Sequence, residues 1–142
     1  MRPVPVMILA LLSSTCGAQE ANAPPGLFFP TYEPGGAVPT GIIEGSLEEK
    51  DGCLFVTSGS DRWLLLWPDG YSAMRADGAI EISNENDRVI GRTGGPIRLG
   101  GGEARPIEVG GVAAVDAWAE GLTGENAPEK CGHQYWLATG SA

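Results

Sequence analysis

Apolar residues along this chain fall into short clusters set apart by polar, glycine-rich and proline-rich breaks. From Thr40 to Leu47 apolar and polar positions alternate loosely, and Cys53 to Thr57 is the next apolar run. Arg62 to Trp67 contains the unbroken stretch Trp63-Leu64-Leu65-Leu66-Trp67, bounded by Pro68-Asp69-Gly70. It is too short for a helix and has no polar face, which predicts a central strand buried on both sides. Ala79-Ile80-Glu81-Ile82-Ser83 alternates cleanly, as a strand with one buried face does. Arg88 to Arg92, Pro96 to Leu99 and Gln134 to Thr139 read as further strands. The breaks read as turns: Glu48 to Gly52 closed by Asp-Gly, Ser58 to Asp61, Asn84 to Asp87, and the tight turn Gly100-Gly101-Gly102. Val112 to Leu122 is the one run of helix formers. Val112, Val115, Trp118 and Leu122 are spaced for one helical face, although a loop with a single turn fits the same residues. Asn126-Ala127-Pro128 ends it. Roughly six or seven short strands with at most one short helix predict an all-β domain, a small antiparallel β-barrel or a sandwich.

Upstream of that domain the pattern changes. Arg2 precedes the apolar run Val4 to Leu12, which is too short to span a bilayer, and small residues follow from Ser13 to Ala18. Residues 1–18 therefore read as an export signal with two possible cuts. Cleavage before Cys16 makes Cys16 a lipid anchor. Cleavage after Ala18 gives a soluble secreted form. Residues 19–39 hold Pro24, Pro25, Pro30, Pro34 and Pro39 with Gly26, Gly35 and Gly36, a composition that predicts a semi-extended tether. Leu27-Phe28-Phe29 within it is expected to pack onto the domain formed by residues 40–142, the other reading being an exposed apolar patch for a partner or lipid.

Export changes the reading of the three cysteines. Cys16 is acylated or discarded, so Cys53 and Cys131 are left as a lone pair in an oxidising compartment, where one disulfide is expected. The 22 glycines and 11 prolines agree with many turns. Charge narrows the partners. Nine basic residues stand against 18 acidic ones, a formal net charge of −9. Nucleic-acid binding needs a dense basic surface, so it is excluded as an expectation. Direct binding to anionic lipid is disfavoured for the same reason, which leaves membrane association only through Cys16.

Several segments taken together carry a resemblance. They are Ile42-Ile43-Glu44-Gly45-Ser46-Leu47, Gly52-Cys53-Leu54-Phe55-Val56, Leu64-Leu65-Leu66-Trp67-Pro68-Asp69-Gly70-Tyr71, Leu99-Gly100-Gly101-Gly102-Glu103, and Cys131-Gly132 with Tyr135-Trp136-Leu137. Between Thr40 and Thr139 the chain resembles a group of small bacterial secreted proteins and lipoproteins whose core is similar to an OB-like barrel. The resemblance implies fold and topology; its motifs are structural and imply no activity. An OB barrel places its helix between the third and fourth strands, whereas the helix candidate here lies before the last strand.

Chemistry-bearing residues are few. His133 is the single histidine and stands two residues after Cys131. A metal site or an activated thiolate there would need Cys131 reduced, and a serine triad lacks the Gly-x-Ser-x-Gly elbow. Gly100-Gly101-Gly102 lacks the Lys-Ser/Thr of a phosphate loop. Glu48, Glu49 and Asp51, like Glu85 and Asp87, lack the ligand spacing of a calcium loop and read as solvated turn charge. Trp63, Trp67, Trp118 and Trp136 read mainly as core or barrel-rim packing rather than a stacking surface. The sequence therefore predicts no catalytic residue, no metal site and no cofactor. The expected function is a binding or interaction module of the cell envelope, with an envelope protein or a small ligand as partner. The alternative is a small hydrolase, or a small-molecule or metal binder, centred on His133. A carboxylate converging on His133 inside a concave pocket would distinguish that alternative.

Overall fold

A computed structural model of the chain describes residues 22–105 and 110–142. The export signal and Cys16 lie outside the described residues.

The barrel starts from two tight turns. Asp51 and Gly52 both have positive φ, 53° and 79°, as a type I′ turn requires. They join β2 (Gly41–Lys50) to β3 (Cys53–Ser58) with Lys50 opposite Cys53. Glu48, Glu49 and Lys50 therefore belong to the strand, and the turn is only Asp51-Gly52. The short loop Gly59-Ser60 returns β3 to β4 (Asp61–Pro68), antiparallel. β8 (Pro96–Ala104) pairs with β2, and β9 (Tyr135–Ser141) pairs antiparallel with β8. β9 also runs parallel to β4, with Leu64, Leu65 and Leu66 opposite Tyr135, Trp136 and Leu137. The order β4-β3-β2-β8-β9 thus returns to β4 and closes a five-stranded barrel with an OB-like path. The expectation of an all-β domain with one short helix holds, and a single parallel pair closes an otherwise antiparallel barrel.

Between the third and fourth barrel strands, where an OB barrel keeps its helix, stands a separate three-stranded sheet. It consists of β5 (Ser72–Ala76), β6 (Ala79–Ser83) and β7 (Val89–Arg92). A second positive-φ pair, Asp77 (50°) and Gly78 (78°), makes its first hairpin. The helix α1 (Val112–Thr123) and a 3-10 turn (Glu129–Cys131) fill the connection from β8 to β9.

β4 is buried on both faces, as its composition requires. Trp63, Leu65 and Trp67 point into the barrel and pack with Leu47, Leu54, Val56, Leu99 and Trp136. Leu64 and Leu66 point outward into a second core with Phe55, Tyr135 and the α1 residues Val115 and Ala119. Each fully buried leucine is worth about 1.5–3 kcal/mol relative to exposure. Residues expected to form a tether contribute too. Phe29 stacks on Trp67 with ring centroids 5.4 Å apart, the Phe28 amide donates to the Gly52 carbonyl (2.7 Å), and β1 (Thr31–Tyr32) runs parallel to β4.

One expectation is corrected. Gly100-Gly101-Gly102 is not a tight turn but lies inside β8, at the register shift where β8 bulges against β9. Gly101 has φ 146°, and a Cβ there would sit 1.9 Å from the Leu137 carbonyl oxygen. Glycine lets the two closing strands touch.

The outer core holds the Cys53–Cys131 disulfide, with Cα atoms 5.6 Å apart and both residues buried. It ties the first hairpin to the approach of β9 across a sequence separation of 78. On the chain-entropy account a loop of this size is worth roughly 4–5 kcal/mol. The double substitution Cys53→Ala, Cys131→Ala is expected to lower unfolding free energy by about that amount in urea titrations. Alkylation of the folded, unreduced protein should label neither residue.

Candidate functional site

Two features outside the barrel core bring chemistry or concavity together, and α1 contributes to both. Its sequence, Val-Ala-Ala-Val-Asp-Ala-Trp-Ala-Glu-Gly-Leu-Thr, buries Val115 and Ala119. At the helical repeat, Trp118 and Leu122 lie along one margin of that buried stripe and Asp116 along the other.

On the Asp116 side the carboxylate gathers two partners from the far end of the chain. Tyr135 Oη donates to Asp116 Oδ1 at 2.8 Å. His133 Nδ1 lies 2.8 Å from Oδ2 and 3.0 Å from Oδ1. A carboxylate only accepts, so Nδ1 carries the proton and Nε2 is the nitrogen turned away. The histidine and aspartate side chains are each about one-third exposed, 32% and 36%. An acid thus orients the only histidine, an element found in general-base pairs and behind metal-bound imidazoles. The other elements are missing. His133 lines none of the three concavities described below, and among the described residues no hydroxyl or thiol is bonded to Nε2. The Cys131 sulfur is held in the disulfide, which removes it as nucleophile or ligand. Among the described residues no group of three or more His, Cys, Asp or Glu side chains is placed to hold a metal ion.

What the cluster does plainly is fasten α1. The helix begins without a side-chain cap on its first amides, so tertiary ties must hold it. Trp118 adds an edge-to-face contact with Tyr135, centroids 6.4 Å apart.

On the Trp118 side, between α1 and the segment after β1, runs an apolar groove of about 390 Å³. Tyr32, Val38, Pro39, Trp118, Leu122 and Leu137 supply its apolar walls, and Glu33 is its one charged residue. Val38 and Leu122 are exposed at 57% and 38%, which is unusual for large apolar side chains beside a cavity. Trp63, Trp67 and Trp136 are buried, so three of the four tryptophans are core as expected and Trp118 alone borders an opening. Two other concavities are shallow and of mixed polarity. One of about 530 Å³ lies between β7 and the barrel and is crossed by the Arg98–Glu44 ion pair (2.7 Å). The other, of about 480 Å³, includes Glu48, Glu49 and Arg62. Those glutamates have partners of their own: Thr57 Oγ1 donates to Glu48 at 2.9 Å and Arg75 pairs with Glu49 at 3.1 Å.

The position of Asp116 beside His133 was not readable from spacing, because 17 residues separate them. A signal for the groove did exist. Leu122 and Trp118 fall at the edge of the apolar stripe, where a helix leaves side chains half covered.

No protein-family model, no curated protein and no solved structure matches this chain.

All three tyrosines have hydroxyl pKa values raised above the ordinary value of about 10. Burial is the main cause for each. Tyr135 is raised furthest, with further contributions from its hydrogen bond to Asp116 and from the Asp116 charge. Tyr71 adds to Tyr32, and Glu85 adds to Tyr71. The fold therefore favours the protonated phenols. Their contribution is fully present below about pH 10 and is lost as pH rises through the higher folded values. Absorbance at 295 nm is expected to stay flat through pH 10 and then rise together with loss of structure. Tyr135→Phe should cost about 1 kcal/mol at neutral pH and flatten that alkaline loss. Independent tyrosinate formation in folded protein near pH 10 would refute the assignment.

Proposed function

We propose that this chain is an exported, envelope-associated binding module with no catalytic chemistry, and that its ligand site is the groove between α1 and the residues after β1. The single observation that carries this reading is the groove itself. It is a concave apolar surface within the usual size range of ligand sites, bordered by the one tryptophan outside the barrel core. A buried disulfide in a small domain supports export, since such bridges persist in oxidising compartments. Among the described residues no helix is long and apolar enough to cross a membrane. On this reading envelope association falls to Cys16, from the sequence of residues 1–18.

A neutral apolar fluorophore, N-phenyl-1-naphthylamine, is expected to brighten on binding wild-type protein and to lose that signal with Val38→Arg. Equal binding by both proteins would remove the groove from this role. The second reading, a small hydrolase, rests on the Asp116–His133 contact. It requires turnover of esterase, phosphatase or glycosidase substrates that disappears with His133→Ala. The binding-module reading expects background turnover in both proteins and undiminished fluorophore binding by His133→Ala.

The lipid-anchor reading has its own test. Cys16→Ser is expected to move the protein from the membrane fraction to the soluble one, or to leave it unprocessed. A soluble mature chain beginning at Gln19 would replace the anchor with simple secretion.

A further inference from the structure

We propose that the groove takes a cationic amphipathic peptide segment of a partner protein, with apolar side chains entering beside Trp118 and lysines or arginines facing its walls. This rests on the groove being the binding site and goes further by naming what fills it.

Three observations point to that occupant. First, the segments that build the groove carry charge of one sign only. The groove's lining holds Glu33 and no lysine or arginine, while Asp116 is engaged by His133 and Tyr135 on the other margin of α1. Elsewhere opposite charges are interleaved: Arg75 with Glu49, Arg92 with Glu81, Arg98 with Glu44, Arg105 with Glu103. Second, α1 ends beside the groove with no basic residue in its last turn. Its carbonyl end bears a partial negative charge that no basic side chain of its own last turn offsets, and a basic group from outside complements it. Third, the opening is shaped for side chains on a backbone rather than for a small molecule engulfed whole. Val38 and Leu122 stand exposed on its rim, and the outer surface of α1 next to it is small, with Ala114, Ala117 and Gly121 all exposed. A partner backbone can lie close across such a face while one or two of its large apolar side chains fill the groove. An anionic or polar segment would bring its charge against Glu33 and the helix end, and is disfavoured.

The test uses the full oxidised protein and two synthetic 18-residue peptides with the same helical pattern of leucines, one with lysine at every polar position and the other with glutamate. Fluorescence anisotropy of labelled peptide reads binding. The leucine–lysine peptide is expected to bind and the leucine–glutamate peptide to fail. Leu122→Arg, at an exposed position that leaves the fold intact by circular dichroism, should weaken binding at least about tenfold, because it blocks the groove and offsets its negative charge. Glu33→Gln should weaken binding about threefold and reduce its salt dependence. Met74→Arg carries the same charge change on the three-stranded sheet, where Met74 is exposed at 62%, and should bind like wild type. Equal binding of both peptides overturns the proposal. So does equal weakening by Leu122→Arg and Met74→Arg, which would mean diffuse attraction to an acidic protein. Failure of the lysine peptide while the neutral fluorophore still binds discards the cationic occupant and leaves the groove as a ligand site. Failure of both removes the groove as well.

Discussion

Everything in this fold depends on β4 having no solvent face. Its five apolar residues from Trp63 to Trp67 must be covered on two sides at once, and one curled sheet covers only one of them. The barrel interior takes Trp63, Leu65 and Trp67. A second layer has to be recruited for Leu64 and Leu66, and it comes from the β8–β9 connection as α1 and the disulfide. The helix is therefore not an ornament on a finished barrel. It is the cover that the composition of one strand demands, and the clamp of Asp116, His133 and Tyr135 holds it in place.

That demand also explains why the groove is where it is. Twelve residues of helix cover the outer side of β4 and β9. On its other flank the segment following β1 supplies the facing wall without reaching α1 along its whole length. The gap between them inherits apolar walls from the outer core and its one acidic side chain, Glu33, from the loop. A site thus arises at the seam between two covering elements, while the barrel interior, filled by Trp67 and its stacked neighbours Phe29 and Tyr71, is solid packing.

The parts legible in the sequence were those set by local pattern. The runs at Cys53, Trp63 and Ala79 state their strands directly, and Val112 to Leu122 carries enough helical spacing to mark α1. Where local pattern and long-range pairing conflict, the sequence misleads. Gly100-Gly101-Gly102 has the composition of a turn, yet β9 pairs alongside it and the missing side chains let the strands close. Ser72 to Ala76 has only Ala73 facing inward, and its real signal was the Asp77-Gly78 turn that doubles it back onto β6. The meeting of Asp116 with His133 is a product of tertiary folding alone, since helix and strand approach are brought together by the Cys53–Cys131 bridge and the outer core. The groove likewise draws on the residues after β1, on α1 and on β9, which no local reading joins.

The closing strand has a consequence for how the chain can exist at all. β9 is the last element, and it seals both β8 and β4. Until it arrives the barrel is an open sheet with two bare edges, and the apolar interior behind Trp63 and Leu65 lies open to water. No portion of the chain ending before Tyr135 can complete this fold, and the pairings that complete it join residues far apart in sequence, which makes closure slow. Before β9 pairs, those edges and that interior are the adhesive surfaces of the chain, and docking of the one strand covers both.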